Sequence, residues 1–194
     1  RMSGGTKTPQ RDFPRLLNPR AGAIVGASSD ATRIGGQPIP ILLESGFGGG
    51  IYPVNPKHRK IGDLACYPDV ASVPTPCDLA LVAVAAPLVP EVIMQCGAAG
   101  IPFATVFSAG FREVGAAGAA LEAKLKDAIA ASGVRVIGPN CIGTMNLIDR
   151  VYCGFGAGFR NPNLKRGPVA FVSQSGGFAF SVVALADHEG LGFN

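Results

Sequence analysis

The sequence has no tryptophan, two histidines and few charged residues, and each scarcity excludes some functions. Charged side chains make up only 15% of the chain and apolar ones 47%, a balance that excludes a disordered protein. No apolar run reaches the roughly 18 residues that a membrane span needs. The first residues are polar and basic, with no apolar segment behind them, so we expect no secretory signal. These features predict a soluble, cytoplasmic protein with no membrane partner.

The chain has no net positive charge beyond the first 20 residues. Residues 1–20 carry five basic side chains and one acidic one, which accounts for the whole net charge of +4. We expect these residues to form a basic, flexible tail. The rest of the chain has no basic face and no stripe of aromatic and basic residues, so we expect no nucleic-acid partner.

Cysteine is present in an odd number at irregular spacing, with no Cys-x-x-Cys pair. We therefore expect reduced thiols and no metal site. The two histidines, His58 and His188, are expected at the surface rather than in catalysis. Several cysteines stand in apolar contexts and are expected to pack as small apolar side chains, and only Cys141 lies in a loop of functional character. The full set is Cys66, Cys77, Cys96, Cys141 and Cys153.

Glycine and proline are abundant, with 27 and 16 residues, and they separate short apolar runs from helical segments. Alternation of this kind indicates parallel β-α-β units. The sequence therefore predicts a Rossmann-like, doubly wound α/β domain over residues 21–147. Its strands are predicted at 23–27, 50–54, 78–84, 103–107 and 134–137, and its helices at 39–46, 87–99 and 116–132.

A second, incomplete unit is predicted after the first domain. Residues 148–167 are rich in glycine and proline and are interpreted as a linker. A strand at 169–172, a turn at 173–177 and a helix at 178–188 then follow. One strand and one helix cannot bury a core, so we expect residues 168–194 to be the severed start of a second α/β domain.

Ligands of doubly wound sheets bind where the strands end, so the loops at those points are candidate sites. After the first strand, Gly26, Ser28 and Ser29 could hold a phosphate with backbone N–H groups. No G-x-G-x-x-G motif is present, and the second strand ends in Val54-Asn55-Pro56-Lys57 instead of the acid that NAD-binding domains carry. This pairing favours a phosphorylated nucleotide other than NAD, although a solvated turn is the simpler alternative for the basic run.

The remaining strand ends are less polar. Val84-Ala85-Ala86-Pro87 offers only backbone and apolar surface, which suits an adenine ring or an apolar arm, or else ordinary packing. Ser108-Ala109-Gly110 ends the fourth strand, and a turn with Asn140 and Cys141 ends the fifth. In the second unit, Ser173-Gln174-Ser175-Gly176-Gly177 precedes a helix. Its N–H groups predict a phosphoryl site, with an ordinary N-cap as the alternative.

Five segments in order carry a family resemblance: residues 24–28, 51–57, 107–111, 138–143 and 172–177. Together they resemble the CoA-binding part of the nucleoside-diphosphate-forming acyl-CoA synthetases. These include the succinyl-CoA synthetase alpha subunit and the ADP-forming acetyl-CoA synthetases. The resemblance covers about residues 20–194 and is closer to the ADP-forming type. It implies that the second unit opens a flavodoxin-like domain.

The resemblance implies CoA as the cofactor and assigns the candidate residues to parts of it. The phosphates and adenosine would lie at Gly26, Ser28, Ser29 and at Val54, Asn55, Pro56 and Lys57. The path of the adenine and the pantetheine would follow Val84, Ala85, Ala86 and Pro87. The thiol would point towards Ser108, Ala109, Gly110, Asn140 and Cys141. A phosphohistidine would be stabilised by Ser173, Gln174, Ser175, Gly176 and Gly177.

The family converts an acid, CoA and ATP to acyl-CoA, ADP and phosphate through that phosphohistidine. The histidine lies past the end of this chain, and His188 is on the wrong element to replace it. The ATP-grasp part is also outside the 194 residues, so ATP, ADP, Mg²⁺ and the carboxylic acid are expected only in a longer parent. We expect association with an ATP-grasp subunit or domain, or a homo-oligomer. The alternatives are a stand-alone CoA-binding module, a protein acetyltransferase fusion and an NAD(P)-linked oxidoreductase domain.

Overall fold

The computed structural model of the chain describes residues 13–161 and 163–194. Five parallel strands form its main sheet, and a two-stranded hairpin stands apart from them. In chain order the strands are β1 (Ala21–Val25), β2 (Gly50–Val54), the hairpin strands β3 (Lys60–Ile61) and β4 (Leu64–Ala65), β5 (Leu79–Val82), β6 (Phe103–Val106) and β7 (Arg135–Ile137). The order across the sheet is β2-β1-β5-β6-β7.

The segment before β1 differs from the predicted flexible tail. Residues 1–12 lie outside the described part, but Pro14–Leu17 form a short helix, α1. The Arg20 guanidinium donates hydrogen bonds of 2.6 and 2.9 Å to the Asp78 carboxylate, and the Arg20 N–H donates one of 2.8 Å. Asp78 is only 2% exposed. The described end of the predicted tail is therefore ordered, because a buried carboxylate requires a charged partner.

Proline and glycine set the ends of the helices. Helix α2 (Pro38–Ser45) has Pro38 in its first turn and ends at Gly46, which has a left-handed φ of 78°. Helix α3 (Val89–Ala98) begins two residues later than predicted, because Ala86–Leu88 form a 3₁₀ turn. Helix α4 (Ala116–Ser132) has its predicted bounds. No helix in the described part of the chain is long and apolar enough to cross a membrane.

Apolar side chains cover both faces of the sheet. On one face, Ile93 of α3 and Leu125 of α4 pack in a cluster with Val82 of β5. On the other face, Leu42 of α2 packs in a cluster with Ile24 of β1. Each such side chain contributes roughly 1.5–3 kcal/mol when fully buried. Helices on both faces of a parallel sheet confirm the predicted doubly wound α/β fold.

A second hairpin follows the sheet, formed by β8 (Gly143–Asn146) and β9 (Val151–Gly154). Cys153 of β9 is buried in the same cluster as Leu42 of α2. Part of the predicted linker, residues 148–167, is therefore a strand whose side chains help to close the core. After β9, Gly156 has a φ of 100° and leads into a 3₁₀ turn at Ala157–Arg160.

Two further contacts join the end of this hairpin to the first domain. The Gly156 N–H donates a hydrogen bond of 2.9 Å to Oε1 of Gln37. The Phe155 ring packs edge-on against Phe107, with ring centroids 5.0 Å apart. The packing of the first domain thus continues past the predicted boundary at residue 147.

The last unit consists of β10 (Arg166–Val169) and α5 (Gly176–His188). Arg166 and Val169 of β10 each form a parallel bridge with Phe193. The strand predicted at 169–172 lies three residues earlier, because Phe193, at the other end of the unit, sets its position. A small buried cluster holds Leu147, Ala186 and Phe193. That the unit opens a larger second domain stays a prediction.

Candidate functional site

The candidate site lies where the order of the sheet reverses. Strands β1 and β5 are neighbours, but the chain leaves β1 through α2 on one face and β5 through α3 on the other. A crevice opens at the carboxyl ends of two such strands, and this is where doubly wound sheets bind ligands. The loops after Val25 and Val82 flank the crevice, and the loop after β6 adjoins it.

The loop after β1 approaches the end of β5 closely. Gly26 has a φ of 86°, and a Cβ atom there would lie 2.9 Å from the carbonyl oxygen of Ala83. Ser28 is fixed by its Oγ atom, which accepts a hydrogen bond of 3.0 Å from the Asp30 N–H. Ser29 is exposed beside it. Only glycine permits this path, which brings the backbone of the loop to the crevice.

Asn55 joins the loop after β2 to the loop after β1. Its Nδ2 atom donates a hydrogen bond of 2.8 Å to the carbonyl oxygen of Ala27, and its Oδ1 atom accepts one of 2.9 Å from the Lys57 N–H. Val54 is buried, whereas Pro56 and Lys57 are exposed. Positive charge therefore lies next to the first loop, with no carboxylate at the end of β2. The exposed run continues with His58, Arg59 and Lys60.

A cavity of about 190 Å³ lies between the loops after β1, β5 and β6. Ser108 is the one lining residue with a polar side chain, and its hydroxyl donates a hydrogen bond of 2.5 Å to the carbonyl oxygen of Val84. Apolar walls with accessible backbone groups suit a ring or a weakly polar arm. The cavity is lined by Ile34, Ala83, Val84, Ala85, Ala86, Phe107, Ser108 and Ala109.

The sequence-based candidates account for five of the lining residues and miss Ile34, Ala83 and Phe107. Ala83 and Phe107 directly follow β5 and β6, so their position at a strand end is a signal that could have identified them. Ile34 reaches the cavity only through the path of its long loop, which no local pattern encodes. Pro87 and Gly110 lie beside the lining residues without forming part of the wall, and the candidates directly after β1 and β2 do not line the cavity either.

A carboxylate closes the loop after β6. Oε1 of Glu113 accepts hydrogen bonds from the N–H groups of Gly110, at 2.6 Å, and Phe111, at 3.2 Å. These backbone hydrogen bonds hold the pKa of Glu113 below its usual value. Gly110 has a φ of 109°, and Phe111 is fully buried. The loop is therefore fixed by its own acidic side chain as well as by the core.

Asn140 and Cys141 lie next to the wall of the cavity. The peptide bond before Pro139 is cis, and Asn140 has a φ of 54°. The Asn140 N–H donates a hydrogen bond of 3.0 Å to the carbonyl oxygen of Ser108. Burial raises the pKa of the Cys141 thiol, so this thiol is protonated at neutral pH. Such surroundings do not activate a nucleophile.

The candidate phosphoryl site begins the last unit. Ser175 is the N-cap of α5, and its Oγ atom accepts a hydrogen bond of 3.3 Å from the Phe178 N–H. Gly176 lies so close to Ile142 that a Cβ atom would come within 2.7 Å of its Cδ1 atom. The N-terminus of α5 is therefore beside the loop after β7, although it does not line the cavity. The other residues of this turn, all at least partly exposed, are Ser173, Gln174 and Gly177.

The remaining candidates for metal or proton chemistry are dispersed. Over residues 13–161 and 163–194, no group of three or more His, Cys, Asp and Glu side chains is placed to hold a metal ion. His58 is exposed in the loop after β2, and His188 is exposed at the end of α5.

A parallel α/β fold with a backbone-lined cavity where the strand order reverses defines a nucleotide-cofactor-binding domain. The model of one such family, described as a CoA binding domain, matches residues 20–146, which contain the whole parallel sheet and the cavity. The chain belongs to this family, and the resemblance seen in the sequence is confirmed.

The proteins that the chain resembles include ADP-forming CoA ligases. An ADP-forming acetate–CoA ligase of Archaeoglobus fulgidus is 38% identical over 93% of this chain and 25% of its own length. The alpha subunit of a Pyrococcus furiosus ligase is 34% identical over 92% of this chain and 38% of its own length. The solved structure of acetyl-coenzyme A synthetase 1 from Candidatus Korarchaeum cryptofilum matches with a TM-score of 0.85 and 40% identity, over 94% of this chain and 38% of that one. The chain thus spans about a quarter to two fifths of these relatives and corresponds to their CoA-binding portion.

Proposed function

We propose that this chain binds CoA in the crevice at the ends of β1 and β5, as the CoA-binding part of an ADP-forming acyl-CoA synthetase. The cavity between Val84–Ala86 and Ser108–Ala109 is the observation that carries the proposal. Its apolar, backbone-lined walls match a long and weakly polar arm. The neighbouring loops supply N–H groups and positive charge for a phosphorylated adenosine. CoA combines these two chemical characters in one molecule.

In this proposal the phosphates and the adenosine lie at the first two loops. Ser28 provides a hydroxyl, Ser29 provides backbone and hydroxyl donors, and Lys57 provides positive charge. The N–H groups of Gly26 and Ser28 already donate to the carbonyl oxygens of Val54 and Gly35, so Gly26 contributes the close approach of the backbone. Asn55 supports the arrangement, because it bonds the two loops together and leaves no carboxylate at the end of β2. An NAD-linked function is disfavoured by the same residue, since the ribose of NAD binds an acid at this position.

The pantetheine arm then follows Val84, Ala85, Ala86 and Pro87 towards Ser108, Ala109 and Gly110, and the thiol points to Asn140 and Cys141. The hydrogen bond between the Asn140 N–H and Ser108 supports this path, because it joins the loops after β6 and β7. Cys141 acts here as a packing side chain instead of a nucleophile, in keeping with its raised pKa.

The start of α5 is proposed as a phosphoryl-binding element of the whole enzyme. The first N–H groups of a helix have no partners within it and lie at the positive end of its dipole. Ser173, Gln174, Ser175, Gly176 and Gly177 stand at this end. The contact of Gly176 with Ile142 supports the role, because it puts these N–H groups beside the thiol end of the proposed CoA path.

The complete reaction is proposed for a longer parent protein. There an acid, CoA and ATP give acyl-CoA, ADP and phosphate through a phosphohistidine, with ATP, ADP and Mg²⁺ bound by parts outside this chain. The alpha subunit of the Pyrococcus furiosus relative supports association with an ATP-grasp subunit or domain. This chain alone is therefore expected to bind CoA without forming acyl-CoA.

Calorimetry with CoA and with NADH in parallel tests the proposed binding. We expect CoA to bind and NADH to give no heat of binding; the reverse pattern contradicts the proposal. Incubation of the pure chain with ATP, CoA and a panel of carboxylic acids is expected to give no acyl-CoA. Turnover in that assay would show that the chain is catalytically complete, contrary to the second part of the proposal.

A further inference from the structure

We propose that Glu113 is a positioning residue for the pantetheine arm of CoA, acting through the loop after β6 and not by contact with the ligand. The proposal rests on the CoA site proposed above. Glu113 does not line the cavity, and its side chain is exposed. Its carboxylate nevertheless holds the N–H groups of Gly110 and Phe111, in the loop that supplies Ser108 and Ala109 to the cavity wall.

The loop has two firm anchors with a weak stretch between them. Before that stretch, Ser108 is held by its hydrogen bond to Val84. After it, Phe111 is fully buried, and α4 packs so closely on it that a Cβ atom at Gly118 would overlap the Phe111 carbonyl oxygen. Ala109, between the anchors, is exposed. The Ser108 carbonyl oxygen accepts a hydrogen bond from the Asn140 N–H, and the Gly110 and Phe111 N–H groups that follow are held by Glu113.

The restrained stretch faces the opposite wall of the cavity at short range. A Cβ atom at Gly110 would lie 3.2 Å from the Cβ atom of Ala86. The φ of 109° at Gly110 lies in a region that only glycine adopts easily, and glycine also has the most freedom to leave it. Loss of the Glu113 bonds therefore releases a backbone position that lies directly against Ala86 of the opposite wall.

The nearby cations pair with another carboxylate, so the carboxylate of Glu113 is available to accept hydrogen bonds from these N–H groups. The Arg112 guanidinium lies 3.3 Å from Oε1 of Glu122, and Lys126 lies 2.8 Å from the same oxygen, so both cations are directed to α4. A glutamine at position 113 keeps an amide oxygen as acceptor and loses the charge. The variants Glu113→Gln and Glu113→Ala therefore separate a weakened hydrogen bond from a lost one.

Calorimetry with two ligands distinguishes positioning of the arm from a general loss of structure. The ligands are CoA and 3′-phosphoadenosine 5′-diphosphate, which has the adenosine and phosphates of CoA and no pantetheine arm. We expect Glu113→Ala to weaken CoA binding on the order of tenfold, because the released stretch must be ordered again when the arm binds, and the shorter ligand by less than about twofold. Glu113→Gln is expected to fall between wild type and Glu113→Ala. Glu91→Ala, which removes an exposed carboxylate from α3, is the control with unchanged affinities. Equal effects on both ligands, or none on CoA, would overturn the proposal.

Hydrogen–deuterium exchange of the ligand-free chain tests the same contact without CoA. In Glu113→Ala, peptides that cover residues 108–111 are expected to exchange faster, while peptides from β1 and α3 keep their rates. Unchanged exchange at 108–111 would also overturn the role of Glu113. If wild type binds no CoA, the proposed function fails, and the exchange experiment still decides whether Glu113 restrains the loop.

Discussion

The side-chain amide of Asn55 donates a hydrogen bond of 2.8 Å to the carbonyl oxygen of Ala27, which joins the loops after the two neighbouring strands β2 and β1. In NAD-binding domains the end of the second strand carries an acid that binds the ribose. Here the corresponding side chain binds the protein itself and is neutral. Asn55 thus leaves the end of β2 without a negative charge and also fixes the shape of the first loop.

Substitution of Asn55 is predicted to weaken CoA binding. Asn55→Ala removes both hydrogen bonds of the side chain, and we expect the affinity to fall on the order of tenfold and the free energy of unfolding by about 1 kcal/mol. Asn55→Asp is expected to lower the affinity further, since it adds a negative charge beside the phosphates. Calorimetry and urea unfolding measure the two effects. Asn161→Ala is the control, because Asn161 also accepts a hydrogen bond from the N–H two residues on, at a distance from the crevice. Wild-type affinity in Asn55→Asp would contradict this prediction.

Lys57 is predicted to act by charge. Lys57→Ala is expected to weaken CoA binding several-fold at low ionic strength and by much less at about 1 M salt, where screening reduces the interaction of exposed charges beyond ~3 Å. Calorimetric titrations at the two salt concentrations provide the measurement. Lys124→Ala, which removes a lysine from the exposed face of α4, is expected to bind as wild type does at both. A loss of affinity in Lys57→Ala that does not depend on salt would indicate a contact other than charge.

Gly26→Ala is predicted to be more damaging than Gly46→Ala, although both glycines have positive φ angles. Gly46 has open space where a Cβ atom would stand, so its substitution adds only the strain of a left-handed residue, about 1–2 kcal/mol. At Gly26 the new Cβ atom would also stand 2.9 Å from the Ala83 carbonyl oxygen, and the backbone of the crevice must shift. Urea unfolding and CoA titration of both variants provide the test. Equal stability and normal CoA binding in the two variants would contradict the structure of the first loop.

The Arg20–Asp78 pair is predicted to make the stability depend on acidity. Burial alone would raise the pKa of Asp78, but the hydrogen bonds and the charge of Arg20, with the charge of Arg15, outweigh burial and lower the pKa. A carboxyl whose pKa is lower in the folded state stabilises the fold above its unfolded pKa of about 3.9 and loses that contribution as the pH falls through the folded value. We expect wild type to lose stability below about pH 4 for this reason.

Asp78→Asn tests this acid dependence. At pH 7 the variant is expected to unfold with about 2 kcal/mol less free energy, since the charged hydrogen bonds to Arg20 are lost. When the pH falls from 7 to below about 3.9, its free energy of unfolding is expected to decrease less than that of wild type. Asp63→Asn, at an exposed carboxylate, is the control. The same acid dependence in Asp78→Asn and wild type would exclude the pair as its source.

The regular elements were predictable wherever local patterns decide them. The predicted bounds of β2 are those in the structure, and α4 stops at Gly133 because that residue adopts a φ of 71°. The strand ends that form the crevice follow from the parallel alternation, which is why Val84, Ser108 and Asn140 could be named in advance. The confirmed fold and family depend on these same local signals.

The contacts between distant segments could not be predicted. The strand β10 takes its place from Phe193, more than 20 residues later in the chain. Glu113 contacts the loop after β6 through backbone N–H groups. Every residue except proline carries such a group, so the sequence does not indicate which ones Glu113 binds. In each case the partner is chosen by the folded path of the chain, and the residue types alone do not identify it.

The hairpin of β8 and β9 determines how short a usable version of this domain can be. A chain cut at residue 147 would lose Cys153 and Phe155 and would leave Leu42 and Phe107 facing water. A version that ends after Gly156 keeps these side chains covered and retains the hydrogen bond to Gln37. Transfer of the proposed CoA crevice into another protein therefore requires the hairpin as well, because the hairpin covers one side of the core on which the crevice rests.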